Sequence, residues 1–228
     1  MIKLGKLFKS AAKQAAEVAN TTVQDGDGFV LHKYPDYETY RQVQEDGNKA
    51  KIRAQFVKES HIAFLADHLS AVYGEVAFGL CHGVRRGREQ AWFRKSLKGA
   101  ADIIGTDISE TATEFPNTVQ WDFHEVNSDW AGRADFVYSN SWDHAYDPKK
   151  ALLAWVDALR PGGRLLLDHT RGHLPKAANA LDPFGVTEAA FATLLADVVD
   201  GQGQVLAPLD RSQNKDYACK VFVCVKNT

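Results

Sequence analysis

The sequence predicts an α/β protein: a seven-stranded, mostly parallel sheet with an antiparallel last strand, helices on both faces and an N-terminal helical extension. Three observations predict it. From residue 76 to 170, short apolar runs alternate with helical patterns, the rhythm of a parallel sheet covered on both faces. The first of these runs opens into a glycine loop, VAFGLCHGVRRGRE (76–89), and the next ends in Asp107, twenty residues after Gly87. The chain then closes on two apolar segments, 204–210 and 219–227, joined by a polar loop. That loop is too short for a crossover helix, so the last strand should run antiparallel to its neighbour.

The elements follow in order. Residues 2–20 place Leu4, Leu7, Phe8, Ala11, Ala12, Ala15 and Val18 on one helical face and lysines on the other, a pattern read first as a helix covering its own domain or a partly frayed terminus, and otherwise suited to a membrane surface, a partner or a dimer contact. TTVQDGDGF (21–29) reads as a turn-rich break. Two helices follow between Asp36 and Val72, with a weak spot at Gly47, a capping Ser60 and a stop at Gly74. Residues 1–74 are therefore expected as a lid or substrate platform, and 75–228 as the main domain. Strands are expected at 76–82, 101–107, 119–125, 134–140 and 164–170. Helices are expected at 88–97, with Ala91, Trp92 and Leu97 inward, at 148–160 behind Pro148, and at 187–199.

Bulk properties narrow the function classes. A net charge of −2 over 228 residues gives no argument for nucleic-acid binding. No apolar run approaches the roughly 18 residues of a membrane span, and Lys3, Lys6, Lys9 and Lys13 interrupt any signal-peptide core. Cys81, Cys219 and Cys224 have no CxxC spacing and read as reduced thiols, which points to the cytoplasm.

The glycine loop lets backbone N–H groups approach an anionic ligand, and a carboxylate at Asp107 suits ribose hydroxyls. Arg85 stands where the usual pattern has its middle glycine, and its guanidinium suits either a ligand carboxylate or solvent. Ligands of open parallel sheets bind beyond the carboxyl ends of the strands. That rim collects His82, Gly83, Asp107, Asp122, His124, Asn140, Ser141, Asp143, His144, Asp168 and His169. His144, Asp168, His169 and His173 also invite a metal reading. Their spacing is not diagnostic, and Asp168 and His169 should face opposite ways within a strand, so no metal is expected.

Together these residues resemble the class I S-adenosylmethionine-dependent methyltransferases, over about 76–227. The glycine loop with Glu89 resembles the family's first motif, with Gly83 and Gly87 in place, Arg85 for a glycine and Cys81 for an acidic residue. Asp107 and Ile108 stand at the ribose position, and Asp122 and Phe123 at the adenine position. SNSWDHAYDPKKALLAWVDALRPGGRLLLDH (139–169) is similar to the family's strand-four exit, helix and turn into strand five. The resemblance implies a Rossmann-like fold, S-adenosylmethionine as cofactor, and cofactor contacts from Cys81, His82, Gly83, Arg85, Gly87, Glu89, Asp107, Ile108, Asp122, Phe123, Asn140 and Ser141. It places His144 near the reactive methyl as a general base or positioning group, with His169 and Asp143 as further candidates.

The expected activity is methyl transfer to oxygen or nitrogen of a small molecule, or of a saccharide held by Tyr34, Tyr37 and Tyr40. Trp142 is a candidate for stacking on it. Two other readings stand beside this one. A nicotinamide-dependent oxidoreductase predicts GxGxxG and no closing hairpin, and a non-catalytic cofactor-binding module would work through the basic N-terminal segment.

Overall fold

The computed structural model describes residues 19–228. Eight strands form the main sheet: β3 (Phe78–His82), β4 (Asp102–Asp107), β5 (Thr118–Gln120), β6 (Ala134–Ser139), β7 (Leu159–His169), β9 (Gly203–Val205), β10 (Leu209–Asp210) and β11 (Lys220–Lys226). Their order is β10-β11-β7-β6-β3-β4-β5, with β9 also on β11. β3 pairs in parallel with both β4 and β6, so the strand order reverses there and opens a crevice at the carboxyl ends. β11 runs antiparallel to β7, with Val221 opposite Asp168 and Phe222 opposite Leu167.

Helix α1 (Tyr37–Ala50) starts at Asp36, whose carboxylate accepts from the Thr39 N–H. Helices α2 (Glu59–Tyr73) and α3 (Arg88–Ser96) cover one sheet face. Their apolar sides join the inward residues of the strands in a core around Ile62, Leu65, Phe93 and Phe136. On the other face α4 (Pro148–Ala158) and α5 (Glu188–Val199) close a second core around Trp155, Phe191 and Leu195. Pro148 occupies the first turn of α4, where its missing N–H costs nothing. No helix among the described residues is long and apolar enough to cross a membrane.

The expected alternation, the helices within 36–72 and the antiparallel last strand are all found. The break at 21–29 is instead a hairpin of β1 (Thr22–Gly26) and β2 (Phe29–Lys33). Asp27-Gly28 makes its two-residue turn, the Asp-Gly signature of hairpins. β2 then pairs with β8 (Phe184–Val186), which returns between β7 and α5. The segment expected as one strand at 204–210 is split into β9 and β10, because Pro208 has no N–H for the ladder.

Three local expectations are corrected. The third strand stops at Gln120, where the Asp122 carboxylate accepts from the His124 N–H and turns the chain. Helix α3 buries Glu89, Gln90 and Phe93 and leaves Ala91 exposed. Glu89 and Gln90 turn inward because Gln55 and Thr118 offer them hydrogen-bond partners. Ser60 does not cap α2; the cap position is Lys58, and the Ser60 hydroxyl donates to Asp216. The basic amphipathic segment 2–20 lies outside the described residues except for its last two.

Candidate active site

A cavity opens at the carboxyl ends of β3, β4 and β6. The glycine loop forms one side. Gly83 has a left-handed backbone, and a Cβ there would stand 2.5 Å from the Ser141 side chain. Arg85 also has a left-handed backbone (φ 52°), so the loop keeps the shape that a glycine would give it. The Arg85 N–H donates to Asp107 Oδ2 at 2.9 Å.

Asp107 and Asp122 face the cavity, with Ile108, Phe123, Ser141 and His144. Burial pushes the Asp107 carboxyl up, against hydrogen bonds from the N–H groups of Ser109 and Arg85. Burial also pushes Asp122 upward, but the His124 side chain and N–H outweigh it and hold that carboxyl below its usual range. The opposite wall comes from α1 and the segment just after it. Asn48 Nδ2 donates to Asp107 Oδ1 at 2.7 Å, and the Tyr37 hydroxyl donates to Asp122 Oδ2 at 2.8 Å. Gly47 lets α1 pack closely on Leu181: a Cβ there would meet Leu181 Cδ1.

The Arg85 guanidinium lies on the border of the cavity and is tied to the segment after α1. It donates to the carbonyls of Lys51 and Ala54, at 3.3 and 3.1 Å, and lies over the Phe56 ring at 5.2 Å. A second, larger cavity adjoins the first; Lys51, Arg85, Ser141, His144 and Leu181 border both. Asp143, Asp182, Asn140 and Tyr217 line only the second.

The remaining residues named from the sequence fall into three groups. Gly83, Arg85, Asp107, Ile108, Asp122, Phe123, Ser141 and His144 meet at the first cavity. Asn140 and Asp143 face the second, where Asn140 Nδ2 donates to the Tyr217 hydroxyl at 2.7 Å. Burial, with Asp182 nearby, pushes the Asp143 carboxyl well up. Cys81, His82, Gly87, Glu89 and His169 line neither cavity.

That third group serves the scaffold. Cys81 is fully buried, and burial raises its thiol. His82 stacks on Trp155 at 5.0 Å, with Nδ1 2.7 Å from Thr106 Oγ1. Gly87 is the N-cap of α3, and Glu89 Oε1 accepts from Gln55 Nε2 at 2.8 Å. His169 sits in the aromatic core against Trp142, Phe191 and Phe222, its Nε2 2.9 Å from the Val186 carbonyl. Its strand position points it away from the site. Trp142 is 2% exposed and donates from Nε1 to the Asp168 carbonyl, so it is a packing residue. Asp168 faces the other way, accepting from the hydroxyls of Tyr138 and Tyr217 with His61 Nε2 at 2.8 Å. The group that invited a metal reading is thus divided between two sides of the sheet. Of the three tyrosines named for a saccharide, Tyr40 is 2% exposed, and the Tyr34 hydroxyl is held by the Ala180 carbonyl.

Sequence reasoning missed Gln44, Asn48, Lys51 and Asp182. The first three recur at helical spacing, one face of α1 and its end. A polar stripe reads as a solvent face unless a second polar surface is known to meet it.

Residues 80–167 match the family model described as a methyltransferase domain. No curated protein matches the chain significantly. Among solved structures, it is similar to a Burkholderia thailandensis 1,6-didemethyltoxoflavin-N1-methyltransferase with bound 1,6-didemethyltoxoflavin and S-adenosylhomocysteine. Identity is 18%, TM-score 0.62, over 90% of this chain and 99% of that one. It is similar to the plantazolicin methyltransferase BpumL in complex with a desmethylPZN analog and S-adenosylhomocysteine, at 11% identity and TM-score 0.62, over 98% and 99%. It is also similar to the N-methyltransferase NodS of Bradyrhizobium japonicum, in complex with S-adenosylhomocysteine, at 14% identity and TM-score 0.56, over 81% and 99%. Residues 80–167 thus match a methyltransferase domain, and the chain shares its fold with solved methyltransferases crystallised with S-adenosylhomocysteine.

Proposed function

We propose that the protein moves a methyl group from S-adenosylmethionine to an oxygen or nitrogen of a small molecule or saccharide. The observation that carries this reading is the pair of carboxylates, Asp107 and Asp122, at the switch point of the sheet, with His144 on the border of a second cavity. Both carboxylates already accept from neutral donors of α1, Asn48 and Tyr37. Ribose hydroxyls and an adenine amine are donors of the same kind, so the site's chemistry fits the cofactor.

In this reading Asp107 holds the ribose hydroxyls, and Asp122 with Phe123 lies beside the adenine. The loop from Gly83 to Arg85 approaches the cofactor with its backbone. S-adenosylmethionine, when bound, supplies a methyl group made electrophilic by its positive sulfur. The protein then needs to align a nucleophile, exclude water and receive one proton. Residues 37–57 act as the lid that excludes water. His144, at the border of the two cavities, orients the acceptor and receives the proton. The bound small molecules of the toxoflavin and plantazolicin enzymes support a small acceptor.

Calorimetry with S-adenosylmethionine, S-adenosylhomocysteine and NAD tests the reading. Micromolar binding of the first two and none of the third is expected, and Asp107→Ala should abolish it. Binding of NAD alone would sink it.

A further inference from the structure

The border between the two cavities carries positive charge that the chain leaves largely unspent. Lys51 follows the last residue of α1, and its N–H donates to the carbonyls of Gly47 and Asn48. Its side chain is buried, 6% exposed, yet lines both cavities. Among the described residues its ammonium reaches one partner, Asp182 Oδ1, at 3.5 Å. That is beyond the usual length of a hydrogen bond. Asp182 is shared as well, since it accepts from Asn179 Nδ2 at 3.2 Å and faces His144 Nε2 at 3.3 Å. An ammonium has three donor hydrogens, so Lys51 keeps most of its bonding capacity for another group. A buried cation held this loosely is costly unless a further anion joins it.

Arg85, the other cation of the border, fastens the turn that carries Lys51. Its Nη1 donates to the carbonyls of Lys51 and Ala54, and its charge adds to the positive potential there. Asp107, Asp122 and Phe123 line the first cavity only. A cofactor with its ribose at Asp107 and its adenine beside Asp122 has its methionine end left to place, and the border is where the first cavity continues. The carboxylate of that end is the cofactor's one anionic group. Lys51 lies outside the matched residues 80–167, so no motif of that domain points to it.

We infer that Lys51 binds the methionine carboxylate of the cofactor through its ammonium. The inference rests on the methyltransferase reading above. The contact adds a short charge-assisted bond to an ammonium that now has only a long one, while Asp182 keeps its bond from Asn179. It also ties the cofactor to the end of α1, the helix whose Asn48 donates to Asp107. One short stretch of chain thereby meets the cofactor at its ribose and at its amino-acid end.

Calorimetry of the full chain with three ligands tests this. They are S-adenosylhomocysteine, its analogue lacking only the carboxylate, and methylthioadenosine, which lacks the whole amino-acid end. S-adenosylhomocysteine should bind at least about tenfold more tightly than the decarboxylated analogue, the scale of a charge-assisted bond. Lys51→Met should bring those two within about twofold of each other. Methylthioadenosine should bind the parent and Lys51→Met alike, which shows that the adenosine side is intact. NMR of labelled lysine in the parent reads the same contact with no substitution: S-adenosylhomocysteine should move the Lys51 signal, and the decarboxylated analogue should leave it in place. A tenfold ratio that persists in Lys51→Met overturns the inference and hands the carboxylate to Arg85. So does a ratio near one in the parent, or a Lys51 signal that S-adenosylhomocysteine does not move. If methylthioadenosine binds and the carboxylate makes no difference, the inference alone fails. If none of the three ligands binds the parent, the methyltransferase reading falls and takes this inference with it.

Discussion

Asn48 Nδ2 lies 2.7 Å from Asp107 Oδ1, so the carboxylate that would hold the ribose is capped by a side chain of helix α1. A cofactor hydroxyl reaching Asp107 Oδ1 competes with that amide. Asn48→Ala removes one of the two donors on Oδ1, the other being the Ser109 N–H, and frees that position for a cofactor hydroxyl. S-adenosylhomocysteine should then bind five- to tenfold more tightly by calorimetry, about 1 kcal/mol. Weaker binding would mean that Asn48 itself grips the cofactor.

Arg85 binds two carbonyls of the segment after α1 with one planar group. Both bonds come from Nη1 while the flat guanidinium lies over the Phe56 ring, and a lysine would lose that stacking. Arg85→Lys should cost about 1–2 kcal/mol of stability and hasten protease cleavage within 51–57. A variant as stable and as resistant as the parent would remove the strap role.

Burial raises the Glu89 carboxyl from 4.5 to about 7, and its Oε2 has no partner among the described residues. The folded state therefore prefers the protonated acid, whereas the unfolded chain ionises above pH 4.5. The associated stability is fully present below pH 4.5 and is lost as the pH rises to about 7. Glu89→Gln should flatten that slope and stabilise the protein at pH 8 by on the order of 3 kcal/mol. Denaturant melts at pH 4.5 and 8 read the difference; an unchanged slope contradicts the assignment.

Trp142 donates to the Asp168 carbonyl at 2.7 Å and stacks on Phe191 at 4.2 Å. Trp142→Phe should cost about 1–2 kcal/mol by orphaning that carbonyl, and Trp142→Ala about 3–5 kcal/mol by opening a cavity. Chemical denaturation measures both. Full stability in Trp142→Phe would return this residue to the acceptor site.

The sheet was legible because its signals are local. Apolar runs gave the parallel strands, Pro148 the start of α4, and the short polar loop the antiparallel end. The Asp27-Gly28 hairpin was equally local, and its strands were overlooked because β1 is almost wholly exposed and lacks an apolar alternation. Asp107, Asp122 and His144 could be placed at one rim from strand order alone. Gln44, Asn48 and Asp182 could not, since their role depends on α1 crossing that rim, a contact set by the missing side chain of Gly47 against Leu181. The direction of His169 followed from strand parity, once Asp168 was known to face the opposite side.

The small sheet of β1, β2 and β8 joins the start of the described chain to a segment more than 150 residues later. Between β7 and β8 lie Leu181, which touches α1 through Gly47 and Gln44, and Asp182, which faces His144. A shift of α1, were Asp107 to exchange its partner for a ligand, would therefore reach the wall of the second cavity. A coupling between two ligands carried by that contact would be reciprocal: whatever factor one contributes to the other's affinity is returned unchanged. One measurable sign would be an order of binding, with the second ligand meeting a site that the first has already set.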